Sequence, residues 1–160
     1  MSVEKHKALV RDFYEEFYGR KNLKVIDDLF SDSYVHHLPD NPRYAMNFQD
    51  FREREIEFTM AFPDGKKEIE DQVGEGDRVV TRLIMRGTQS GDLPGIPATD
   101  RKIEVRSIVI HRIKGGKIRE GWESYDSLGM MQQLGVIHMV STLSKAKHER
   151  GYFPVEFYNQ

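Results

Sequence analysis

Residues 114–135 read KGGKIREGWESYDSLGMMQQLG. The stretch describes a tight turn at Gly115-Gly116, an outgoing strand from Lys117 to Tyr125, and a short helix that stops at Gly135. A two-residue glycine turn between β-rich segments is a hairpin signal. Its incoming arm is Lys102 to Lys114, rich in Ile and Val. At the junction of strand and helix stands Asp126, with Trp122 and Ser124 at alternate positions before it. Alternation along a strand would place Trp122, Ser124 and Asp126 on one face. Asp immediately before Ser127 and LGMMQQLG also suits a helix N-cap.

Upstream of the hairpin the strand pattern continues. Arg78 to Thr88 carries VVTRLIMRGT, and before the turn at residues 74–77 Ile69, Asp71 and Val73 alternate with polar residues. Residues 89–101, QSGDLPGIPATDR, hold two glycines and two prolines and read as a loop. The first third of the chain has helical spacing instead. Leu9, Phe13 and Phe17 form one stripe from Val3 to Tyr18, with Gly19 as a stop. Leu23 to Phe30 is a second helical stretch. Phe48 to Phe62 is a third, with Phe51, Glu55, Phe58 and Phe62 on one face and Pro63-Asp64-Gly65 ending it. Between the second and third, Ser31 to Pro39 loses the period and reads as a short extended piece entering a loop. Helices first and antiparallel strands afterwards define an α+β fold with helices packed on one face of a curved sheet.

The chain has 160 residues, enough for one domain with a full core. We divide it into a domain over 1–137 and an extension over 138–160 that ends GYFPVEFYNQ. Four aromatics in ten residues should dock on the domain or on a partner subunit. A net charge of -2 argues against nucleic acid as a partner, since phosphate binding needs clustered excess Lys and Arg. The absence of cysteine removes disulfides and thiolate chemistry and fits the cytoplasm. No apolar run approaches the ~18 residues of a membrane span, so no membrane partner is expected.

Several motifs, in this order, resemble one family. They are Tyr34 to Pro39 (YVHHLP), Phe62-Pro63-Asp64, Glu75 to Val80 (EGDRVV), Gly87-Thr88, Gly95 to Thr99 (GIPAT), Gly116-Lys117-Ile118 and Trp122 to Asp126 (WESYD). Together they resemble the SnoaL-like polyketide cyclases, of the NTF2-like, cone-shaped α+β fold. The chain departs from that pattern at Asp100, where a glycine is common, and in its aromatic tail.

The resemblance implies a cofactor-independent enzyme performing aldol-type ring closure, or a related isomerisation, on a small hydrophobic carbonyl compound. Asp126 would be the acid/base group and His37 would orient it. Trp122 would shape the cavity, and Arg112 would bind a carbonyl or carboxylate. Register leaves Arg112 and His111 as alternatives: a two-residue turn pairing Lys114 with Lys117 puts His111 on the Asp126 face, and a bulged form puts Arg112 there. Tyr14, Phe17, Met60 and Phe62 would line the pocket from the helices, although aromatic stripes at this spacing are ordinarily core. No metal is expected: His36, His37 and Asp40 match no ligand spacing. The rival reading is a non-catalytic NTF2-like module that holds a small ligand or serves in assembly. A homodimer is expected either way. On the bulged register its open sheet face would carry Val105, Val109 and Tyr125.

Overall fold

The computed structural model describes residues 2–38 and 45–137. Helix α1 (Val3–Phe13) is capped by Ser2, whose side chain accepts from the Lys5 N–H. It runs on into a wider π-helical turn, Tyr14–Gly19. Helices α2 (Val25–Leu29) and α3 (Phe48–Ala61) follow, with strands β1 (Phe30–His37) and β2 (Ala45–Asn47) between them. Four long strands come next: β3 (Lys66–Glu75), β4 (Arg78–Thr88), β5 (Lys102–Lys114) and β6 (Lys117–Tyr125). Helix α4 (Ser127–Gln133) ends the described chain, and Gly135 takes the left-handed conformation expected of its stop.

The six strands form one sheet in the order β2-β1-β6-β5-β4-β3. Every pair is antiparallel except β1 with β6. The Ser31–Pro39 piece is thus more than a loop entrance, because β1 joins the sheet beside β6 over eight residues. Helices α1 and α3 cover one face. Phe13, Phe17, Ile26, Phe30, Tyr34 and Phe51 pack there against Val79, Leu83, Val109 and Ile118. A second cluster joins Phe62, Met85, Ile103 and Val105 to Met130 and Leu134 of α4. Burying a large apolar side chain contributes about 1.5–3 kcal/mol, so these two clusters fix where the helices sit.

The β5–β6 hairpin decides what faces inward. Lys114 pairs with Lys117 and Ile113 with Ile118, but Arg112 pairs with Glu120, which makes Arg119 the extra residue of a bulge. Downstream, His111 faces Gly121, Val109 faces Glu123 and Ser107 faces Tyr125. These form the inner face, and His111, Val109, Ser107 and Glu123 are buried. Arg112, Ile110 and Ile108 pair with Glu120, Trp122 and Ser124 on the outer face. The expected parity is therefore corrected: Trp122 and Ser124 point away from the helices. The open face carries Ile108, Ile110 and Trp122, while Val105, Val109 and Tyr125 face inward. The register is the expected bulged one, with Arg112 opposite Glu120; what differs is the face the helices cover, since Phe13, Phe30 and Phe51 pack on the side of Val109 and Ile118.

Loop 89–101 is organised around Gln89, which is fully buried. Its amide donates toward Ile96 O and Pro97 O, and its side-chain oxygen accepts from Thr99. Asp100, which stands where the family pattern has a glycine, has φ +55°. Asp is among the few residues that tolerate this left-handed conformation. Extension 138–160, with Tyr152, Phe153, Phe157 and Tyr158, lies outside the described residues. Among those described, no helix is long and apolar enough to cross a membrane.

Candidate active site

Between α3, the inner face of the sheet, loop 89–101 and α4 lies a cavity of about 240 Å³. Phe58, Met85, Leu93, Ile96, Val105 and Met130 give it apolar walls. Glu55 and Glu123, with Arg54, Lys67 and the exposed Glu57, contribute its charged lining. Each arrives by simple periodicity. Arg54, Glu55 and Phe58 belong to α3, where Glu55 shares the buried face of Phe51. Glu123 lies two residues from Gly121 and Tyr125 on β6, and so points inward with them.

Four of these, Arg54, Glu55, Lys67 and Glu123, contact one another. Arg54 Nη1 donates to Glu55 Oε1 at 3.2 Å, and Arg54 Nη2 donates to Glu123 Oε2 at 3.3 Å. Lys67 Nζ donates to Glu55 Oε2 at 3.3 Å. The same ammonium lies 4.4 Å from the centre of the Tyr18 ring, a cation–π contact. His36 Nε2 lies 3.4 Å from Glu123 Oε2. With that N–H donating, His36 Nδ1 accepts from the Tyr34 hydroxyl at 2.8 Å. Tyr34 fits because Gly121 has no side chain: a Cβ there would collide with the Tyr34 hydroxyl.

The two carboxylates are pushed apart in acidity. Burial raises Glu55 above the ordinary glutamate range, and the Lys67 charge only partly offsets it. Burial acts upward on Glu123 too, but the His36 hydrogen bond and the charges of Lys67 and Arg54 outweigh it and hold Glu123 well below that range. Beneath them is a void of about 10 Å³ lined by Tyr14, His36 and His111 together with Glu55, Lys67 and Glu123. Burial drives His111 down to about 3, so its ring is neutral. His111 Nδ1 is buried without a hydrogen-bond partner among the described residues. Burial also raises Tyr14 well above an ordinary phenol.

The residues expected from sequence fall in different places. Asp126 caps α4, its Oδ1 accepting from the Gly129 N–H at 2.8 Å. Its side chain is exposed, while the adjacent Tyr125 and the nearby Met130 and Met131 line the cavity. His37 lies on the outer face, stacked on Trp122 with ring centres 5.2 Å apart and bonded to Glu120 at 3.0 Å. Arg112 is on that face as well, paired with Glu120 at 2.6 Å. The structure thus sets His37, Trp122 and Arg112 on the side of the sheet opposite the cavity. Tyr14 lines the inner void, Phe17 and Phe62 are core, and Met60 is 67% exposed. Sequence reasoning left four groups without a role: Glu55, Lys67, Arg54 and Glu123. The signal for the first was a carboxylate on the buried stripe of an amphipathic helix. Among the described residues, no group of three or more His, Asp or Glu side chains is arranged to hold a metal ion.

Known proteins share this fold. The SnoaL-like polyketide cyclase family matches residues 8–134. Aklanonic acid methyl ester cyclase DnrD of Streptomyces peucetius is 40% identical over 60 residues, 38% of this chain and 41% of that protein. The match thus spans less than half the length of that curated relative. TsrD of Streptomyces laurentii superposes with a TM-score of 0.75 at 28% identity, covering 86% of this chain and 99% of that one. AclR of Streptomyces galilaeus, provisionally called a hydroxylase, superposes at 0.77 over 86% of this chain and 100% of that one, with 24% identity. That last likeness concerns the fold alone.

Proposed function

Because the chain belongs to the SnoaL-like polyketide cyclase family, we propose that it is a cofactor-independent cyclase. It closes a ring in a small hydrophobic carbonyl compound by aldol-type addition. The observation that carries this reading is the cavity, with apolar walls and two buried carboxylates of opposite acidity in contact with two cations. Paired groups with separated acidities are what proton exchange with a carbon acid needs. The cavity is somewhat smaller than the ~300–1,000 Å³ of ordinary ligand clefts. It therefore takes a small substrate, or only the reacting end of a larger one.

In this reading Asp126, whose neighbour Tyr125 lines the cavity, takes the proton from the carbon acid. The orienting role expected of His37 passes to the charged groups inside, since His37 is stacked on the outer face. The test is ring closure of aklanonic acid methyl ester, the compound in the name of the curated relative, by the wild-type chain and by Asp126→Asn. Asparagine caps a helix as well as aspartate does, so the variant keeps the fold and removes only the base. We expect turnover to fall by about 10²-fold or more, the ordinary range for general-base loss. Unchanged turnover would take Asp126 out of the reaction.

The second reading, a non-catalytic binding module, is favoured by one observation: the Asp126 carboxylate is engaged by the Gly129 N–H. It predicts ligand binding without turnover in the same experiment. Either way, we assign the protein to the cytoplasm and to a homodimer formed through the outer face, where Trp122 and the half-exposed Ile108 lie. A monomer by light scattering at micromolar concentration would remove the dimer.

A further inference from the structure

Ring closure by aldol addition needs two proton movements. One proton leaves the carbon acid, and another must reach the carbonyl oxygen that accepts the new bond. Asp126 accounts only for the first. Glu55 is almost wholly buried, on the cavity-facing side of α3. Its two oxygens face two cations, Arg54 at 3.2 Å and Lys67 at 3.3 Å. Charge-assisted bonds of this type are ordinarily about 2.7–2.9 Å. Both cations thus stand within reach of the Glu55 carboxyl, which is almost wholly out of solvent. The other charged and titratable groups around it are Glu123 of β6, His36 of β1, His111 of β5 and Tyr14 of the first helical segment. Both histidines are held toward their neutral forms by burial, and Glu123 stays ionised. A proton on Glu55 leaves Arg54 and Lys67 facing a single formal negative charge, so the site favours an oxygen that is becoming negative.

Resting on the cyclase reading above, we infer that Glu55, set between Arg54 and Lys67 in the cavity, is the acid that protonates the acceptor carbonyl oxygen. The substrate class follows. Its acceptor is a ketone or aldehyde tethered so that its oxygen reaches Glu55. Asp126 takes the C–H proton, and the carbanion forms a C–C bond to the carbonyl carbon. The π pair of that C=O moves to oxygen, which takes the Glu55 proton. The product is an isomer of the substrate. Asp126 is left protonated and Glu55 ionised, and solvent carries one proton back.

The experiment pairs a titration with kinetics. Carboxyl-¹³C-glutamate NMR of the wild-type chain and of Glu55→Gln identifies the Glu55 signal as the one lost, without any substrate. We expect it to titrate above the other glutamates. With aklanonic acid methyl ester, Glu55→Gln is expected to lower kcat by about 10²-fold or more with a smaller effect on KM. It should also abolish the alkaline limb of the wild-type pH profile, where Glu55 loses its proton. Glu55→Asp, which retains an acid, should restore part of kcat and a shifted limb. That variant keeps the test open if Gln at this buried position does not fold. A Glu55 signal that titrates with the ordinary glutamates overturns the inference, as does an alkaline limb unchanged in Glu55→Gln. A wild-type chain that neither cyclises the ester nor exchanges its acidic C–H in deuterated water sinks the cyclase reading. The Glu55 role then falls with it, whereas a chain that cyclises the ester with an ordinary Glu55 titration overturns the Glu55 inference alone.

Discussion

The two faces of the sheet treat charge differently. On the outer face Arg82 meets Glu70 at 2.9 Å, and Arg86 meets Glu68 at 2.7 Å and Glu104 at 2.9 Å, with both arginines about half exposed. On the inner side Arg54, Lys67, Glu55 and Glu123 keep 3.2–3.3 Å between partners, and the last three are 4–12% exposed. The shorter contacts are the weaker ones. Exposed ion pairs are screened and contribute about 0–1 kcal/mol. Breaking a buried pair strands a charge away from water and costs about 3–5 kcal/mol. Distance alone would rank the two faces in the wrong order, and burial corrects it.

The largest test of this contrast is acid. His111 has an ordinary pKa of 6.5 when unfolded and about 3 when folded. The unfolded chain therefore binds more protons between those values. The stabilisation is complete above pH 6.5 and is lost progressively as pH falls toward about 3. The shift corresponds to roughly 5 kcal/mol at one pKa unit per 1.36 kcal/mol. His111→Phe, beside the Tyr14 and Phe30 rings, should unfold at a lower pH than the wild type. Coincident acid-unfolding curves would show that the buried histidine does not set the acid limit. Next comes Glu123→Ala, which leaves Arg54 and His36 without their shared partner. Urea unfolding at neutral pH should show a loss of about 3–5 kcal/mol. A loss below 1 kcal/mol would mean that water reaches the cluster. The smallest effect belongs to Arg86→Ala on the outer face. Although it breaks two short contacts, the same measurement should move by no more than about 1 kcal/mol.

The same contrast shows what could be read from the chain beforehand. The order of helices and strands was legible because period and punctuation are local: Pro63 to Gly65, Gly115-Gly116 and Gly135 mark ends whatever surrounds them. The capping role of Asp126 was legible for the same reason. The faces were not. Alternation along β6 groups Trp122 with Asp126 and excludes Glu123, and it cannot say which group meets the helices. Arg119, at the bulge, looks like any other strand residue. The floor of the site was partly visible, since Glu55 falls on the stripe of Phe51 and Phe58. Its chemistry depends on Lys67 at the start of β3 and on Glu123, which arrives from β6 far along the chain. Gln89 was hidden more completely, because nothing in a loop sequence shows that one amide will hold the turn around it.

The bulge at Arg119 has a consequence for insertions and deletions. It acts as a spare letter in the reading frame of β6. Removing Arg119 would close the bulge and leave the pairs from Arg112–Glu120 to Ser107–Tyr125 in step. Removing Gly121 instead would move each later residue to the other side of the sheet, with Trp122 turned in and Glu123 turned out. A single-residue deletion scan of β6, read by yield of folded protein, should find its tolerant positions at 119 and 120, the two residues opposite Arg112. Chains that lose a residue at the bulge would keep their cavity. Those that do so a few residues later would have to build a new one.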